Sequence, residues 1–300
     1  MSTNPSLPLS APAASSPSTL NRAPIGIFDS GLGGLSVLRA VHAHLPDEAI
    51  LYAADSRYAP YGERDDDFIG DRTLAICEWL AAQGAKALVV ACNTATAQSI
   101  ALVRERLSIP LIGVEPGIKP AALRSTSRVA GVLATQVTLR SARFQDLLNR
   151  YAADCRFLCQ PGHGLVQAIE RCDVGSDALR ALLVGYLQPM LDAGADTLVL
   201  GCTHYPFLDA TIRDIVGDRL ALIDTSVAIA RQLERVLEQR NLRAAPGSAP
   251  GLPRFFSTSD GAHLHQLAAT LLHLDAPVQH VSIPSRRTSA SDSQPDSLPA

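Results

Sequence analysis

The fold of this chain is decided by two near-copies of one segment, LVVACNT at residues 88–94 and LVLGCTH at residues 198–204. The shift of 110 residues that aligns Cys92 with Cys202 also aligns a Gly-Ala pair ahead of each apolar run. In each copy an amphipathic stretch leads into Gly-Ala, then into a run of strand length, then into a cysteine followed by small polar residues that can cap a helix. The pattern predicts a duplicated α/β unit with one thiol at the carboxyl end of a buried strand in each copy.

The rest of the chain alternates in the same way between short apolar runs and amphipathic stretches. Besides the two runs that end in cysteine, strands are predicted at 25–28, 50–53, 110–114, 129–135, 222–224, 255–257 and 278–283. Such alternation specifies parallel strands with covering helices. We therefore expect an α/β fold of two pseudo-symmetric lobes, each with a mostly parallel sheet flanked by helices, and an active site in the interlobe cleft. The first lobe is expected to comprise 23–118 plus 226–284, and the second 119–225.

Composition and the chain ends narrow the class of protein. The 300 residues are 47% hydrophobic and 18% charged, enough for one large or two modest globular domains. The net charge of −3 offers no basic surface for nucleic acid, and no apolar run is long enough to span a membrane, so neither partner is expected. Residues 1–22 and the tail 285–300 are predicted to be disordered. Because the first of these segments lacks the features of a signal peptide, we expect a cytoplasmic location, where the six cysteines stay reduced.

The two cysteines carry the predicted chemistry. A cysteine between a strand end and a helix start receives the positive end of the helix dipole, which favours the thiolate. In duplicated lobes, Cys92 and Cys202 would face each other across the cleft with a substrate between them. This arrangement suits the inversion of a stereocentre that bears a weakly acidic C–H, because one thiolate removes the proton from one face while the opposite thiol protonates the other. The alternative for either cysteine alone is a small buried hydrophobic residue.

Several polar residues at the same sheet edges could assist the thiols. His204, two residues after Cys202, could hold or accept the thiol proton, and Asp29, at the end of the first strand, could do the same beside Cys92. A plain helix N-cap remains open for Asp29, and a hydrogen-bonded core histidine for His204. The short polar side chains suitable for binding an amino acid are Ser30, Asn93, Thr94 and Thr203.

Other motifs are weaker. The GLGG segment at 31–34 lacks the third glycine of a dinucleotide fingerprint, so it indicates only a close backbone approach to a ligand. The spacing of Cys155, Cys159, His163 and Cys172 resembles a metal site but contains no C-x-x-C knuckle, and no metal is predicted. Lys86 and Lys119 are the only lysines, which leaves few candidates for a pyridoxal-phosphate Schiff base. We therefore expect no cofactor.

Six blocks in order make the chain resemble glutamate racemase, a member of the aspartate/glutamate racemase superfamily. They are DSGLGG (29–34), PYG (60–62), CNTA (92–95), GVEP (113–116) with KPA (119–121), GVLAT (131–135) and GCTHYP (201–206). The resemblance spans roughly residues 24 to 284. It implies a cofactor-independent interconversion of L-glutamate and D-glutamate, supply of D-glutamate for bacterial peptidoglycan and hence for the cell wall and cell shape, and a homodimer. Some glutamate racemases also bind DNA gyrase, so a gyrase interaction is a further expectation.

The resemblance also implies residue roles. Cys92 acts on the D enantiomer and Cys202 on the L enantiomer, assisted by Asp29, His204 and Glu170, the last in a segment similar to the family's Leu-Val-x-x-x-Glu. A surface ion pair is the alternative for Glu170. The implied substrate contacts are Asp29, Ser30, Tyr61, Gly62, Asn93, Thr94, Thr203 and His204. The chain departs from the usual family pattern in Glu63-Arg64-Asp65, where Arg-Ser is usual, and in Gly117, where alanine is usual.

Two alternatives use the same fold. Aspartate racemases share the duplicated plan with paired cysteines, although they tend to have a carboxylate at the position of His204. A non-catalytic regulator is the second alternative, but such a protein would not need two matched thiols.

Overall fold

The computed structural model describes residues 21–285, which form two parallel β-sheets with helices packed on their faces. The strands are β1 Ile25–Asp29, β2 Ile50–Ala54, β3 Ala87–Val90, β4 Leu111–Gly113, β5 Val129–Ala134, β6 Arg156–Pro161, β7 Thr197–Gly201, β8 Ala221–Ile223, β9 Arg254–Ser257 and β10 Val278–His280. The α-helices are α1 Leu35–His44, α2 Asp66–Ala82, α3 Asn93–Arg106, α4 Ile118–Arg124, α5 Gln136–Arg140, α6 Ala142–Tyr151, α7 Leu165–Glu170, α8 Asp177–Asp192, α9 Asp209–Val216, α10 Ser226–Gln239 and α11 Ala262–Leu272.

The strand order makes the two sheets equivalent around the cysteines. The first sheet has the order β10-β9-β2-β1-β3-β4 and the second β6-β5-β7-β8, and all the pairings are parallel. The strand β3, which precedes Cys92, lies between β1 and β4, and β7, which precedes Cys202, lies between β5 and β8. The predicted α/β fold with two parallel sheets is therefore confirmed.

The repeated Gly-Ala pair ends a helix before each of the two strands that lead to the cysteines. Gly84 and Gly194 have positive φ angles of 86° and 84°, a backbone conformation that glycine adopts without strain. The amides of Ala85 and Ala195 donate to carbonyls at the ends of α2 and α8, Leu80 and Met190 respectively. This helix-ending turn leads each chain segment directly into the strand before the cysteine.

The strands β1, β2, β3 and β7 are buried along their whole length, which explains their near-continuous apolar sequences. β6 was not predicted. Its sequence RFLCQP lies at the edge of the second sheet with only part of each side chain covered, so it lacks the apolar run of a central strand. The last strand is also shorter than predicted, since β10 ends at His280.

The first sheet takes its strands from 25–113 and 254–280, and the second from 129–223. The lobe boundaries near 118 and 226 stay predictions. Residues 1–20 of the predicted leader and 286–300 of the predicted tail lie outside the described residues. Asn21 and Arg22 are helical, and the Asn21 carbonyl accepts a hydrogen bond of 2.7 Å from Lys86 Nζ. Between residues 21 and 285, no helix has both the length and the apolar character that crossing a membrane requires.

Candidate active site

Cys92 lies between β3 and the 14-residue helix α3, where it is the N-cap residue. Its side chain is buried, and Sγ accepts a hydrogen bond from the Ala95 amide at 3.4 Å. The Ser30 hydroxyl lies 3.4 Å from the same sulfur. The thiol therefore occupies the position that serine or aspartate usually takes at the start of a helix.

The electrostatics of Cys92 differ from the prediction that the helix start favours a thiolate. Burial raises the pKa of the thiol to about 12, and the charge of Asp29 acts in the same direction. The hydrogen bonds from Ser30 and Ala95 act to lower the pKa but are outweighed. The free energy lost by removing a thiolate from water exceeds the stabilisation that the helix end contributes, so burial keeps Cys92 a neutral thiol.

Cys202 follows β7 and has a different surrounding. The chain continues into a 3₁₀ turn, Tyr205–Leu208, and α9 begins only at Asp209, so the predicted helix start directly after this cysteine is wrong. Proline at position 206 stands in the first turn of this segment and has no N–H to donate. The nearest polar partner of Cys202 Sγ is His204 Nδ1 at 3.7 Å.

His204 links Cys202 to a carboxylate. Its Nε2 lies 2.5 Å from Oε1 of Glu170, at the end of α7. Burial acts to lower the pKa of His204, but the hydrogen bonds to Cys202 and Glu170 outweigh it and raise the pKa well above 6.5. A protonated imidazole donates from both ring nitrogens, so Nδ1 is directed to Cys202 Sγ while Nε2 is held by Glu170.

Asp29 ends β1 and is fully buried. Its carboxylate accepts hydrogen bonds from the Gly31 amide at 2.7 Å and from the Thr203 hydroxyl at 3.1 Å. Burial raises the pKa of Asp29, and it remains the main cause although the charge of His204 acts against it. Asp29 does not cap α1, whose N-cap residue is Gly34. Its charge raises the pKa of Cys92, so it belongs to the surroundings of that thiol.

Hydrogen bonds across the cleft hold the two lobes together around the thiols. Besides the bond from Thr203 to Asp29, the Ser36 hydroxyl donates to the Thr203 carbonyl at 3.0 Å. The Leu32 amide donates to Glu170 Oε1 at 2.7 Å. The charge of Cys202 raises the pKa of Cys92, which means that the two sulfurs lie within electrostatic reach of each other.

The glycines of the GLGG segment allow this close approach. A Cβ atom at Gly31 would overlap the carboxylate of Glu170, and one at Gly33 would overlap the imidazole of His204. The segment therefore brings the backbone of the first lobe against side chains of the second. The close approach observed is to the opposite lobe, and the predicted approach to a ligand stays a prediction.

The other predicted substrate contacts line the same cleft with their polar groups already engaged. The Asn93 amide nitrogen donates to the Val114 carbonyl at 3.4 Å, and the Thr94 and Thr135 hydroxyls lie 2.9 Å apart. The Tyr61 hydroxyl donates to Asp55 Oδ2 at 2.5 Å. The backbone groups of Tyr61 and Gly62 are therefore the ones left to bind a ligand. The substrate-binding roles of these residues stay predictions.

The sequence analysis missed three hydroxyls at this site. Thr135 is hydrogen-bonded to both Thr94 and Thr138, each at 2.9 Å, and Ser36 bridges the lobes. Thr135 stands directly after β5, at the same sheet edge as the other polar residues. A search for polar residues at strand ends could therefore have found it. Ser36 lies inside α1, where sequence position offers no such signal.

Both thiols are shielded from solvent, since Cys92 is 5% and Cys202 is 6% exposed. The crevice at the cleft mouth is lined by residues of both lobes, among them Gly62, Thr135 and Gln167, and its volume is about 30 Å³. A larger cavity of about 370 Å³ lies beside it, with Leu32, Pro60 and Glu170 in its lining.

The remaining cysteines lie elsewhere. Cys77 is buried on α2, Cys155 is buried just before β6, Cys159 is exposed on that strand, and Cys172 follows α7. Within the part of the chain described here, no three His, Cys, Asp or Glu side chains come together in a way that could hold a metal ion.

Comparisons with known proteins agree with this geometry. Residues 35–233 match the family model for Asp/Glu/Hydantoin racemase. A glutamate racemase from Ralstonia nicotianae is 59% identical over 265 residues, which cover 88% of this chain and 95% of that protein. The crystal structure of a glutamate racemase isoform from Bacillus anthracis has a TM-score of 0.80 at 30% identity, covering 89% of this chain and 100% of its own.

A further solved relative is the Escherichia coli glutamate racemase in complex with L-glutamate and the activator UDP-MurNAc-ala. Its TM-score is 0.77 at 31% identity, and the match covers 88% of this chain and 100% of that chain. The chain therefore belongs to the Asp/Glu/Hydantoin racemase family, within which its sequence and fold are those of the glutamate racemases.

Proposed function

We propose that this racemase interconverts L-glutamate and D-glutamate by a two-base mechanism with Cys92 and Cys202 as the acid and base. The observation that carries the proposal is the pair of buried thiols at equivalent strand ends, β3 and β7, each with different polar partners. A substrate between them would present opposite faces of its α-carbon to the two sulfurs.

The partners suggest how the proton moves. In the L to D direction, a Cys202 thiolate beside the protonated His204 removes the α-proton, and Cys92, whose pKa of about 12 keeps it protonated, delivers a proton to the other face. The proton taken from the α-carbon then stays on Cys202 Sγ while His204 remains protonated, Cys92 becomes the thiolate, and the electron pair of the broken C–H bond forms the new one. The D to L direction exchanges the roles, with Asp29 beside the thiol that must lose its proton.

Glutamate is the substrate that the comparisons favour over aspartate. Relatives at up to 59% identity carry the name glutamate racemase, and one solved relative contains L-glutamate. The groups proposed to receive the amino acid are the short polar side chains of Ser30, Asn93, Thr94 and Thr203 and the backbone at Tyr61 and Gly62.

No pyridoxal phosphate takes part in the proposed reaction. Of the two lysines, Lys86 is buried and pairs with Glu48 at 2.5 Å, and Lys119 is exposed on α4. The two thiols supply both proton transfers without a Schiff base.

The proposed physiological role is supply of D-glutamate for peptidoglycan precursors in the cytoplasm. A homodimer and a DNA gyrase contact stay predictions. The role is tested by asking whether the chain restores growth of a bacterium that requires added D-glutamate, with the Cys92→Ala variant as the inactive control.

The reaction is tested by incubating the purified protein with L-glutamate, D-glutamate or L-aspartate in ²H₂O, without added cofactor. We expect deuterium at the α-carbon and conversion to the opposite enantiomer for both glutamates, and far slower turnover of aspartate. Faster turnover of aspartate would overturn the substrate, absence of α-exchange would favour a non-catalytic role, and activity restored only by pyridoxal phosphate would overturn the mechanism.

A further inference from the structure

A buried charged cluster lies beside the candidate site, at the carboxyl edge of the first sheet. Asp55 follows β2 and is fully buried, and Arg72 on α2 is 1% exposed. The guanidinium binds the carboxylate at two points, with Nε 2.9 Å from Oδ2 and Nη2 2.7 Å from Oδ1. Arg72 Nη1 also donates to the Ile283 carbonyl at 2.6 Å.

The carboxylate of Asp55 accepts two further hydrogen bonds. The Tyr61 hydroxyl donates to Oδ2 at 2.5 Å, and the Thr258 hydroxyl donates to Oδ1 at 2.9 Å. Burial, and next to it the charge of Asp55, raise the pKa of Tyr61 well above 10, so its hydroxyl stays a donor. The cluster thus joins the end of β2, helix α2, the end of β9 and the turn Tyr61–Glu63.

Such a cluster is weak evidence for a contribution to stability. The desolvation of two buried charges offsets much of their attraction, and an apolar group of similar shape is often as stable. A two-point ion pair does, however, fix the position of the carboxylate relative to the guanidinium. The fixed carboxylate of Asp55 in turn holds the Tyr61 hydroxyl, and the Tyr61 ring also packs against Phe28 and Phe68.

The turn that Tyr61 begins reaches the opposite lobe. A Cβ atom on Gly62 would lie 3.0 Å from Cβ of Thr135, so the Gly62 backbone is in contact with the second lobe beside the Thr94 and Thr135 hydroxyls. The same turn lines the crevice at the cleft mouth. Its position relative to Asp55 therefore decides how the backbone of Tyr61 and Gly62 meets a ligand when the lobes close.

We propose that Asp55 and Arg72 are positioning residues for the reaction, which hold the Tyr61 hydroxyl and thereby set the Tyr61–Gly62 backbone against the second lobe. In this role the Tyr61 hydroxyl is an anchor and not a substrate ligand. The inference rests on the proposed function, since the backbone it positions is the one proposed to receive glutamate.

The test is Tyr61→Phe, which removes the anchoring hydroxyl, keeps the ring and leaves Asp55 bonded to Arg72 and Thr258. Loss of one hydrogen bond to a charged group predicts a rise in KM for both glutamates of about fivefold or more, with kcat changed less than about twofold. The midpoint of thermal unfolding is expected to fall by no more than about 4 °C, so the variant is folded under assay conditions. The matched control is Tyr58→Phe, which removes a neighbouring hydroxyl that belongs to a ring stacked on the Arg72 guanidinium at 4.5 Å.

A second variant and a second measurement complete the test. Arg72→Lys keeps the charge but cannot bind Asp55 at two points, and a KM rise at least as large as that of Tyr61→Phe is expected. Amide hydrogen exchange measures the turn directly, and peptides covering 59–64 should exchange faster in Tyr61→Phe than in Tyr58→Phe.

An unchanged KM and unchanged exchange in Tyr61→Phe would overturn the positioning role, as would equal effects in Tyr58→Phe. A kcat loss without a KM change would also overturn it, because that result would place the hydroxyl in the chemical step. If the wild-type protein shows no α-exchange with glutamate, the proposed function fails instead, and the exchange rates of the 59–64 peptides alone decide whether the cluster holds the turn.

Discussion

Cys92 and Cys202 occupy equivalent positions in two equivalent sheets, yet their surroundings carry opposite charge. Cys92 caps an α-helix beside the Asp29 carboxylate, and its pKa is raised to about 12. Cys202 precedes a 3₁₀ turn and lies 3.7 Å from His204, whose pKa is raised well above 6.5. The duplication therefore set the positions of the thiols, while residues that differ between the copies set the charged groups beside them.

The difference has a chemical consequence under the proposed mechanism. A thiol beside a carboxylate retains its proton, and a thiol beside an imidazolium gives it up. Burial and the charge of Asp29 thus keep the proton on Cys92, the thiol that donates a proton in the L to D direction. The D to L direction first requires a proton to leave Cys92.

Removal of either thiol is expected to have the largest effect. Cys92→Ala and Cys202→Ala should each lower complete racemisation more than about 10⁴-fold, because one of the two proton transfers has no donor or acceptor. The remaining thiol should still exchange the α-hydrogen of one enantiomer in ²H₂O, L-glutamate for Cys92→Ala and D-glutamate for Cys202→Ala. Cys155→Ala and Cys172→Ala are the controls, and a comparable loss in all four variants would mean that the thiols are structural.

The variants His204→Asn and Asp29→Asn test whether each residue assists a different thiol. Loss of a group that assists proton transfer should lower kcat/KM about 10²- to 10⁴-fold, and equally in both directions, because the two enantiomers have equal free energy. In His204→Asn the step at Cys202 becomes limiting, so α-deuterated L-glutamate should show the larger isotope effect. In Asp29→Asn the larger effect should move to α-deuterated D-glutamate. Identical patterns in the two variants would contradict the assignment of one partner to each thiol.

Gly33→Ala tests whether contact between the lobes maintains the surroundings of Cys202. The added Cβ would overlap His204, so the ring must shift or the lobes must separate, and activity is expected to fall about 10- to 100-fold. The control is Gly185→Ala on the exposed side of α8, where the new Cβ meets open space. That variant should keep full activity and gain about 0.5–1 kcal/mol of stability. Full activity in Gly33→Ala would show that the contact is dispensable.

The smallest effect concerns the pH dependence of stability. Because the pKa of His204 is higher in the folded protein than its ordinary value of 6.5, the folded state binds this proton more tightly than the unfolded chain. The resulting stabilisation is complete below about pH 6.5 and is lost as the pH rises through the folded value. The difference in thermal midpoint between wild type and His204→Asn should therefore shrink from pH 6 to pH 9.5. A difference that is constant or grows would contradict the raised pKa, and exposed His280→Asn serves as the control.

The elements nearest the cysteines were predictable because their signals are local. Burial on both faces leaves a continuous apolar run in β3 and β7, and the positive-φ turns at Gly84 and Gly194 require glycine at fixed positions. β6 was missed because an edge strand needs no such run. Glu170 was anticipated only through the resemblance, as a residue that assists the thiols. Its contact with His204 was not predicted, since 34 residues separate them along the chain and the sequence pattern does not pair them.

The sequence by itself determined which atoms this protein brings to its cleft, since the repeated segment specifies two thiols at matching strand ends through hydrophobic periodicity and glycine turns. The tertiary structure alone decided the electrostatic surroundings of each thiol. Desolvation, the Asp29 charge and the imidazole of His204 act over a few ångströms between segments far apart in the chain, and no local pattern contains their balance.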